Sequence, residues 1–273
     1  MKYVIKNNKI FINGLDDFDI AQILECGQVF RYKKLGDNHY EVFFGQNKAV
    51  VRQFDTTAEI ECNDILAAAR FFDLDKDYSQ IKKELMVHEV LREPISHGHG
   101  IRILKNNPEE IIFSFIISAN NNIKRIQGII EKLCELGEDK GGYRAFPSAE
   151  KIANASDEFL ASLHAGYRAP YLKETAKALL SVDLNEKANL SSPELKKWLL
   201  SLKGVGPKVA SCIMLFGFYR FDNFPVDTWI EKVYRQYFYV GEKSRPEIEK
   251  HFLQVFGGTL SGIVQQYLFY YMR

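Results

Sequence analysis

A glycine-rich turn between two apolar segments restricts the fold of this chain more than any other feature. Residues 202–212 read LKGVGPKVASC. Gly204 and Gly206 allow a tight turn, because the absence of side chains lets backbone N–H groups approach an anion at the start of the next helix. Val209 lies in the first turn of that helix. The pattern therefore predicts two helices joined by an anion-binding turn.

Lys208 also falls in the first turn of the predicted helix. The N-terminal end of a helix carries partial positive charge, so a lysine there opposes the local electrostatic preference. Such a conflict is typical of functional positions. The alternative is that Lys208 is an ordinary surface lysine.

Asp227 follows Lys208 by 19 positions, in the sequence Pro225-Val226-Asp227. Two antiparallel elements could bring the two side chains together. A desolvated, neutral amine can attack a carbon such as the anomeric carbon of a sugar, and a nearby carboxylate would stabilise the positive charge that develops there. Alternatively, Asp227 only caps the helix that begins at Thr228.

The composition excludes several classes of protein. The 273 residues are enough for one large or two modest domains, and 46% are apolar. No stretch approaches the roughly 20 apolar residues of a membrane span, and the N-terminus lacks the apolar run of a signal peptide, so we expect a cytoplasmic protein without a membrane partner. Cys26, Cys62, Cys134 and Cys212 form no C-x-x-C pair, which favours free buried thiols over a zinc site, an iron–sulfur cluster or disulfides.

The distribution of charge is more informative than the net charge of +1. The segment from Leu195 to Phe221 contains no acidic residue and five basic ones: Lys196, Lys197, Lys203, Lys208 and Arg220. This segment could be an ordinary solvated helix face. Its coincidence with the glycine turn favours an anionic partner.

The first part of the chain predicts a twisted antiparallel sheet. Apolar segments at 3–5 and 10–12, and again at 39–44 and 49–51, flank polar or glycine-containing turns, as in β-hairpins. Helical periodicity follows from Asn63, a plausible N-cap, to Phe72, and again from Tyr78 to Arg92.

The second part of the chain predicts helices only. Apolar residues recur at three- and four-residue spacing in segments that begin near Pro108, Asn122, Asp157, Pro170, Ser192, Pro207, Asp227, Arg245 and Thr259. We therefore expect an α+β protein, with an N-terminal sheet domain over 1–105 and a helical domain over 106–273. The last helix is expected to pack near the N-terminal domain.

The glycine turn, the lysine after it and the Pro-Val-Asp sequence resemble the helix-hairpin-helix DNA glycosylase superfamily. Lys208 is typical of its bifunctional branch. Further blocks resemble the 8-oxoguanine DNA glycosylases along nearly the whole chain: ECGQVFR at 25–31, FSFI at 113–116 with NNN at 120–122, GYRA at 166–169, and GIVQ at 262–265 with Phe269.

The resemblance implies a DNA repair enzyme that flips 8-oxoguanine out of the duplex, preferably opposite cytosine, and excises it. Lys208 would attack C1′ and form a Schiff base, Asp227 would support the transition state, and β-elimination would cut the strand. Gly204, Gly206 and Val209 would contact a DNA phosphate. The family requires no redox or nucleotide cofactor, although a monovalent or calcium ion can bind the hairpin carbonyls. The partner would be double-stranded DNA bound by a monomer, in the nucleoid if the source is bacterial.

The resemblance also assigns a base pocket. The Gly27 carbonyl would accept a hydrogen bond from the N7–H that only the oxidised base has. Cys212 and Phe269 would sandwich the base, and Gln265 would bond its Watson–Crick edge. Without the resemblance, Gly27 is interpreted as a turn glycine, and Cys212 and Phe269 are interpreted as core residues. Cys212 nevertheless lies on the same helix face as Lys208, which precedes it by four residues.

The resemblance assigns a third set of residues to contacts with the DNA duplex outside the base pocket. Asn120 would fill the space left by the flipped base, Tyr167 would wedge into the stack, and Arg125 and Arg168 would read the opposite cytosine through their planar forks. On the residues alone, the asparagine run is a helix break, and Tyr167-Arg168 is an interhelical loop.

Two positions depart from the family pattern. Trp229 stands where animal members have a phosphate-contacting histidine, and Ser211 replaces an acidic residue of some relatives; neither is assigned a catalytic role. Two other functions stay open. One is a noncatalytic helix-hairpin-helix DNA-binding protein, and the other is a related glycosylase for another damaged base, although the C-terminal four-cysteine motif common in those branches is absent.

Overall fold

The N-terminal part of the molecule is built on one antiparallel sheet. The computed structural model describes all residues from Met1 to Arg273. The six strands lie in the order β1-β2-β6-β5-β4-β3. Their bounds are β1 Lys2–Lys6, β2 Lys9–Asn13, β3 Tyr32–Gly36, β4 His39–Phe44, β5 Asn47–Gln53 and β6 Thr57–Cys62. Both predicted hairpins are confirmed, and the first turns through Asn7 and Asn8, whose φ angles of 52° and 57° suit a two-residue hairpin turn.

Four helices accompany the sheet: α1 Ile20–Glu25, α2 Ile65–Phe71, α3 Tyr78–Leu85 and α4 Arg92–His97. The predicted N-cap of α2 is wrong by one residue. Asp64 caps it by accepting a hydrogen bond from the Ala67 N–H at 2.9 Å, whereas the Asn63 side chain accepts the Lys48 N–H of β5 at 3.0 Å. Asn63 therefore belongs to the sheet edge.

The single helix predicted from Tyr78 to Arg92 is also wrong. The helix stops at Leu85, the backbone is extended at His88, and a 3₁₀ turn leads into α4. Pro94 lies in the first turn of α4, where a proline is tolerated because its missing N–H would have no intrahelical acceptor. It therefore fits the start of α4 but lies beyond the predicted helix.

The rest of the chain is helical. Its helices are α5 Pro108–Ser118, α6 Ile123–Leu133, α7 Ala149–Ala153, α8 Asp157–Ser162, α9 Arg168–Leu179, α10 Leu184–Ala188, α11 Ser192–Ser201, α12 Pro207–Phe216, α13 Thr228–Tyr237, α14 Arg245–Phe256 and α15 Ser261–Met272. All nine predicted starts lie within two residues of an observed start. The short helices α1, α4, α7 and α10, each of five or six residues, were not predicted, although the six-residue α8 was. No helix is both long and apolar enough to cross a membrane.

Two central helices, α5 and α12, organise the helical core. Each has an unbroken run of eight buried residues, from Glu110 to Ile117 and from Val209 to Phe216. The rings of Phe115 and Phe216 stack between them with centroids 5.5 Å apart. Helices buried on all sides occupy the centre of a domain, so α12 is a rigid support for the residues at its start.

The N-terminal part and the helical part of the chain pack closely against each other. The boundary predicted at residue 105 lies in the extended segment 101–107, but buried side chains of α3 and α4, such as Leu85 and Ile95, belong to the helical core. Helix α15 packs on α4 and also bonds the segment after α1, where the Gln266 side chain donates to the Cys26 carbonyl at 2.6 Å.

Candidate active site

A small cavity of about 50 Å³ lies where α12 and α15 meet the segments after α1 and before α13. We call it the central pocket. It brings together six of the predicted site residues: Gly27, Lys208, Cys212, Asp227, Gln265 and Phe269. Phe115, Phe216 and Pro225 supply its apolar walls. Residues separated by more than 200 positions thus share one site.

The turn between α11 and α12 fixes the position of Lys208. Gly204 has a φ of +82°, and a Cβ atom there would lie 2.8 Å from the Tyr171 ring and 2.9 Å from its Cβ. The Thr175 hydroxyl of α9 also donates to the Lys203 carbonyl at 2.8 Å. Both the backbone conformation and the close packing on α9 therefore require glycine at 204.

The N-terminus of α12 is open to solvent. Gly206 is its N-cap without a side-chain cap, and a Cβ atom there would meet nothing within 4 Å. Pro207 has no N–H, so Lys208 and Val209 present the N–H groups of the first turn, which have no intrahelical acceptor. Such an end can bind an anion, as predicted for Gly206 and Val209.

Lys208 reaches the central pocket as a half-buried cation. Its Nζ lies 5.7 Å from the centroid of the Phe115 ring, and it forms no salt bridge. The neighbouring Cys212 thiol is buried, and burial raises its pKa even though the charge of Lys208 acts in the opposite direction. Cys212 is therefore a neutral wall of the pocket, and the amine is free of carboxylate partners.

Asp227 satisfies both interpretations of the sequence. Its Oδ1 accepts the N–H groups of Trp229 and Ile230, each at 3.0 Å, and so caps α13. Its Oδ2 forms no hydrogen bond within the protein, and the residue lines the central pocket. The cap holds the carboxylate in place while one oxygen stays available to a ligand.

The far wall of the pocket contains an unpartnered amide. Gln265 is 5% exposed, and its Oε1 has no hydrogen-bond partner. Phe269, four residues later, lies against Gly27, where an added Cβ would be 3.5 Å from the ring. Buried amides normally have partners, so Gln265 is a candidate to bind a polar ligand.

Sequence reasoning missed the residue that holds Gly27 in position. The buried Gln28 side chain donates to the carbonyls of Ile23 and Arg102 at 2.9 and 2.8 Å, and accepts the Leu104 N–H at 2.9 Å. It fixes the turn in which Gly27 adopts a φ of +83°. A glutamine inside the apolar ECGQVFR block could have indicated this, because such an amide must find partners.

Two loops, 119–122 and 164–168, contain Asn120 and Tyr167, and we call them the wedge loops; Arg125 lies beside them on α6, and Arg168 is the first residue of α9. The Tyr167 hydroxyl donates to the Ala119 carbonyl at 3.3 Å, and Arg125 Nη2 donates to the His164 carbonyl at 2.9 Å. Asn120, Arg125 and Tyr167 are exposed. Arg168 differs, since it is only 3% exposed.

Comparison with known proteins identifies the family. Residues 113–257, more than half of the chain, match the HhH-GPD superfamily of base excision DNA repair proteins. The chain belongs to this superfamily. Residues 10–112 of this HhH-GPD protein match the N-terminal domain of 8-oxoguanine DNA glycosylases, which confirms the resemblance seen in the sequence.

Two curated relatives are each 30% identical to the chain. The N-glycosylase/DNA lyase OGG1 of Arabidopsis thaliana matches over 89% of this chain and 74% of its own length. The N-glycosylase/DNA lyase of Saccharomyces cerevisiae matches over 84% of this chain and 70% of its own length.

Solved structures confirm the α+β fold of this HhH-GPD protein. The 8-oxoguanine glycosylase/lyase of Clostridium acetobutylicum, in complex with double-stranded DNA containing cytosine opposite 8-oxoguanine, has a TM-score of 0.91 at 34% identity, covering 99% of this chain and 97% of that one. MBOgg1, in complex with a low affinity DNA ligand, has a TM-score of 0.93 at 35% identity, covering 100% and 99%.

Ser211 and Trp229, the two positions that depart from the family pattern, each contact a charged residue that the sequence did not predict. The Oγ of Ser211 lies 3.5 Å from a carboxylate oxygen of Glu249, so α14 supplies an acidic group beside this position. The Nζ of Lys232 lies 4.1 Å from the centroid of the Trp229 ring, which places a cation beside the tryptophan. The positions of these residues in the sequence do not predict either contact. One depends on how α12 packs against α14, and the other depends on the side-chain conformations within α13.

The predicted basic segment is partly neutralised in this HhH-GPD protein. Lys196 forms a 2.6 Å ion pair with Glu249, and Arg220 donates to the carbonyls of Ala188 and Leu190. The exposed Lys203 next to the hairpin has no ion-pair partner. Of the five basic residues of this segment, only Lys196 is neutralised by an ion pair, so most of the positive charge predicted around the glycine turn remains.

The predicted free, buried state of all four cysteines is confirmed, and burial raises the pKa of Cys26 to about 11 and that of Cys134 to about 12. No three His, Cys, Asp or Glu side chains converge to hold a metal ion. A cation at the hairpin would rely on backbone carbonyls, and it stays a prediction.

Proposed function

We propose that this protein is a bifunctional DNA glycosylase and abasic-site lyase that removes 8-oxoguanine from double-stranded DNA. The observation that carries the proposal is the central pocket, in which an amine without a salt bridge, a carboxylate with one free oxygen and an unpartnered buried amide meet. The N-glycosylase/DNA lyase names of the relatives support the activity. The ligand of the Clostridium relative supports the substrate.

Recognition requires the damaged nucleotide to leave the duplex, because its glycosidic bond is inaccessible while the base is stacked. In the pocket, Cys212 and Phe269 would enclose the base, and Gln265 would bond its Watson–Crick edge. The Gly27 carbonyl would accept the N7–H that distinguishes 8-oxoguanine from guanine. The position of Gly27 against Phe269, fixed by Gln28, supports this assignment.

Base removal and strand cleavage would then share one nucleophile. After its ammonium group has given up a proton to solvent, the Lys208 amine attacks C1′ as the bond from C1′ to the base breaks. The base leaves with the bonding electrons and takes up the proton that the attacking nitrogen loses. The free oxygen of Asp227 stabilises the positive charge on the sugar. Loss of the ring oxygen from C1′ gives a Schiff base, removal of a C2′ proton breaks the bond from C3′ to its oxygen, and the strand is cut.

The DNA backbone would bind beside this site at the open start of α12. Gly204 shapes the turn, and the N–H groups at the start of α12, next to the exposed Gly206 and including that of Val209, have no intrahelical acceptor, so a phosphate could accept hydrogen bonds from them. A monovalent or calcium ion at the hairpin carbonyls would add to this contact without taking part in the chemistry. Reading of an opposite cytosine would fall to Arg125 and Arg168 beside the wedge loops; Arg125 is exposed, and four of its five N–H groups are free.

Borohydride trapping tests the proposal. Duplexes with 8-oxoguanine opposite each normal base are incubated with the wild type, Lys208→Gln and the matched control Lys203→Gln, with and without borohydride. We expect the wild type and the control to cut the strand and form a covalent adduct. Lys208→Gln is expected to bind DNA without cutting it.

Three outcomes would contradict the proposal. Strand scission by Lys208→Gln would exclude this amine as the nucleophile. Tight binding by the wild type without cleavage or adduct would indicate a noncatalytic DNA-binding protein. Trapping on another damaged base but not on 8-oxoguanine would indicate a glycosylase of different specificity.

A further inference from the structure

Gln266 joins two walls of the central pocket, and the sequence did not predict a role for it. It follows Gln265 on α15, is only 1% exposed and borders the pocket. Its Nε2 donates a 2.6 Å hydrogen bond to the carbonyl of Cys26, which borders the pocket on the other side. The helix that carries Gln265 and Phe269 is therefore bonded to the turn that carries Gly27.

The turn after α1 contains three consecutive carbonyls with different partners. The Glu25 carbonyl accepts a hydrogen bond from Arg273 at 2.9 Å, and the Cys26 carbonyl accepts the bond from Gln266. The Gly27 carbonyl accepts no hydrogen bond within the protein. Carbonyls at the end of a helix lack intrahelical donors, and a buried carbonyl without a donor costs free energy. Gln266 thus satisfies the Cys26 carbonyl, while the Gly27 carbonyl stays free for a ligand.

Gly27 lies between two anchored positions. On one side, Gln266 holds the carbonyl of the peptide that joins Cys26 to Gly27. On the other side, the Gln28 side chain forms three hydrogen bonds with α1 and the segment 101–107. If the bond from Gln266 is lost, the turn is anchored only through Gln28, and the Gly27 carbonyl gains freedom to rotate.

Selection of an oxidised base needs such a fixed carbonyl. Guanine and 8-oxoguanine have the same donors and acceptors on the Watson–Crick edge, so an amide at Gln265 cannot distinguish them. They differ at N7, which is a donor in 8-oxoguanine and an acceptor in guanine. A carbonyl held opposite N7 attracts the first and repels the second, whereas a carbonyl that can turn away loses the repulsion.

We infer that Gln266 is a positioning residue that fixes the Gly27 carbonyl and so sets the selectivity of the pocket for a base with an N7–H. This inference rests on the proposed function, in which the Gly27 carbonyl faces N7. It adds to that function the residue that couples the last helix to the selecting carbonyl.

Binding of two modified bases tests the inference. Duplexes with 8-oxoguanine or 8-aminoguanine opposite cytosine are titrated with Lys208→Gln, which is expected to bind without cutting. 8-Aminoguanine has the same Watson–Crick edge and a C8 substituent of similar size, but its N7 carries no hydrogen. We expect Lys208→Gln to bind 8-oxoguanine about fivefold to a hundredfold more tightly, because two facing acceptors leave both unpaired.

Gln266→Met is then added to Lys208→Gln, which removes the hydrogen bond and keeps a side chain of similar length. We expect the ratio of the two Kd values to fall by at least about threefold, since the Gly27 carbonyl is no longer fixed. The matched control is Gln265→Met in the same background, which should weaken binding of both bases and keep their ratio. An unchanged ratio in Gln266→Met, or an equal fall in Gln265→Met, would overturn the positioning role.

Alkylation of cysteines by iodoacetamide measures the turn without reference to function. Cys26 is 1% exposed, and Cys134, which is 4% exposed at the end of α6, is the internal control. In Gln266→Met we expect Cys26 to be alkylated about tenfold faster than in the wild type, because the turn opens locally, with no change at Cys134. Mass spectrometry of the digested protein gives both rates.

The two measurements have distinguishable failures. An unchanged rate at Cys26 would overturn the positioning role, and an equal acceleration at both cysteines would show that Gln266 stabilises the whole fold instead. If Lys208→Gln binds both modified bases equally, the proposed recognition of 8-oxoguanine is wrong. Alkylation of Cys26 would still decide whether Gln266 holds the turn.

Discussion

The central pocket and the wedge loops are held together in different ways. The pocket is lined by buried and half-buried residues from five separate segments, and its walls are fixed by the packing of α12 and α15. The wedge loops are two short, largely exposed segments joined by hydrogen bonds from side chains to carbonyls. Substitutions in the pocket should therefore change the rate of chemistry, whereas substitutions in the loops should change how DNA is held.

Asp227→Asn should give the largest effect that leaves the fold intact. Asparagine can still accept the N–H groups of Trp229 and Ile230, so α13 stays capped, but the negative charge is lost. We expect the single-turnover rate of base removal to fall by about 10²- to 10³-fold, as for other groups that stabilise transition-state charge. The melting temperature should hardly change.

Asp227→Ala is the control for capping. It removes the charge and the cap together, and loss of an N-cap destabilises a protein by about 1 kcal/mol. The melting temperature should therefore fall only in Asp227→Ala. If Asp227→Asn keeps the wild-type rate, Asp227 is only a cap, and the pocket contributes less to the chemistry than proposed.

Gly27→Ala tests whether the pocket wall is as rigid as its packing indicates. A φ of +83° is strained for alanine by roughly 1–2 kcal/mol, and the added methyl would lie 3.5 Å from Phe269. We expect kcat/KM for 8-oxoguanine to fall by about tenfold to a hundredfold, because a shift of about 1 Å at the reacting centre is costly. Binding to undamaged DNA serves as the control and should be unchanged.

If Gly27→Ala has the kcat/KM of the wild type, the turn that contains residue 27 shifts to accept the methyl group. The pocket wall would then be as adjustable as the wedge loops, and the two regions would not differ in rigidity.

Tyr167→Ala should have the smallest effect, and it should act on binding. Loss of an aromatic ring that stacks on a base costs about 1 kcal/mol, which corresponds to roughly a fivefold rise in Kd. Tyr167→Phe, which loses only an exposed 3.3 Å hydrogen bond, is the matched control and should bind like the wild type. A large fall in the single-turnover rate with unchanged Kd would place Tyr167 with the pocket residues.

Local sequence patterns predicted the scaffold of the site well. Helix starts follow from caps and prolines that lie next to one another in the chain, as at Pro207, where proline follows Gly206. Six pocket residues were found because the family blocks name them, and Lys208 was also conspicuous because it opposes the helix dipole.

What could not be predicted depends on contacts between distant segments. Glu249 meets Ser211 across 38 positions, and Arg168 meets Ala119 across 49. No local pattern indicates that an arginine in a loop turns inward to bond carbonyls of another loop. The break between α3 and α4 was also missed, because apolar residues recur at helical spacing across it, at Val87, Val90 and Leu91.

The contact between Gln266 and Cys26 joins positions 240 residues apart. A chain emerging from the ribosome therefore completes the glycine turn and Lys208 before α15, which carries Gln265 and Phe269, has been made. During that interval the nascent protein has its reactive amine but lacks two residues that would select a damaged base. Under the proposed function, base selection would wait until the last helix docks, and a chain truncated before α15 would carry the proposed nucleophile without Gln265 and Phe269.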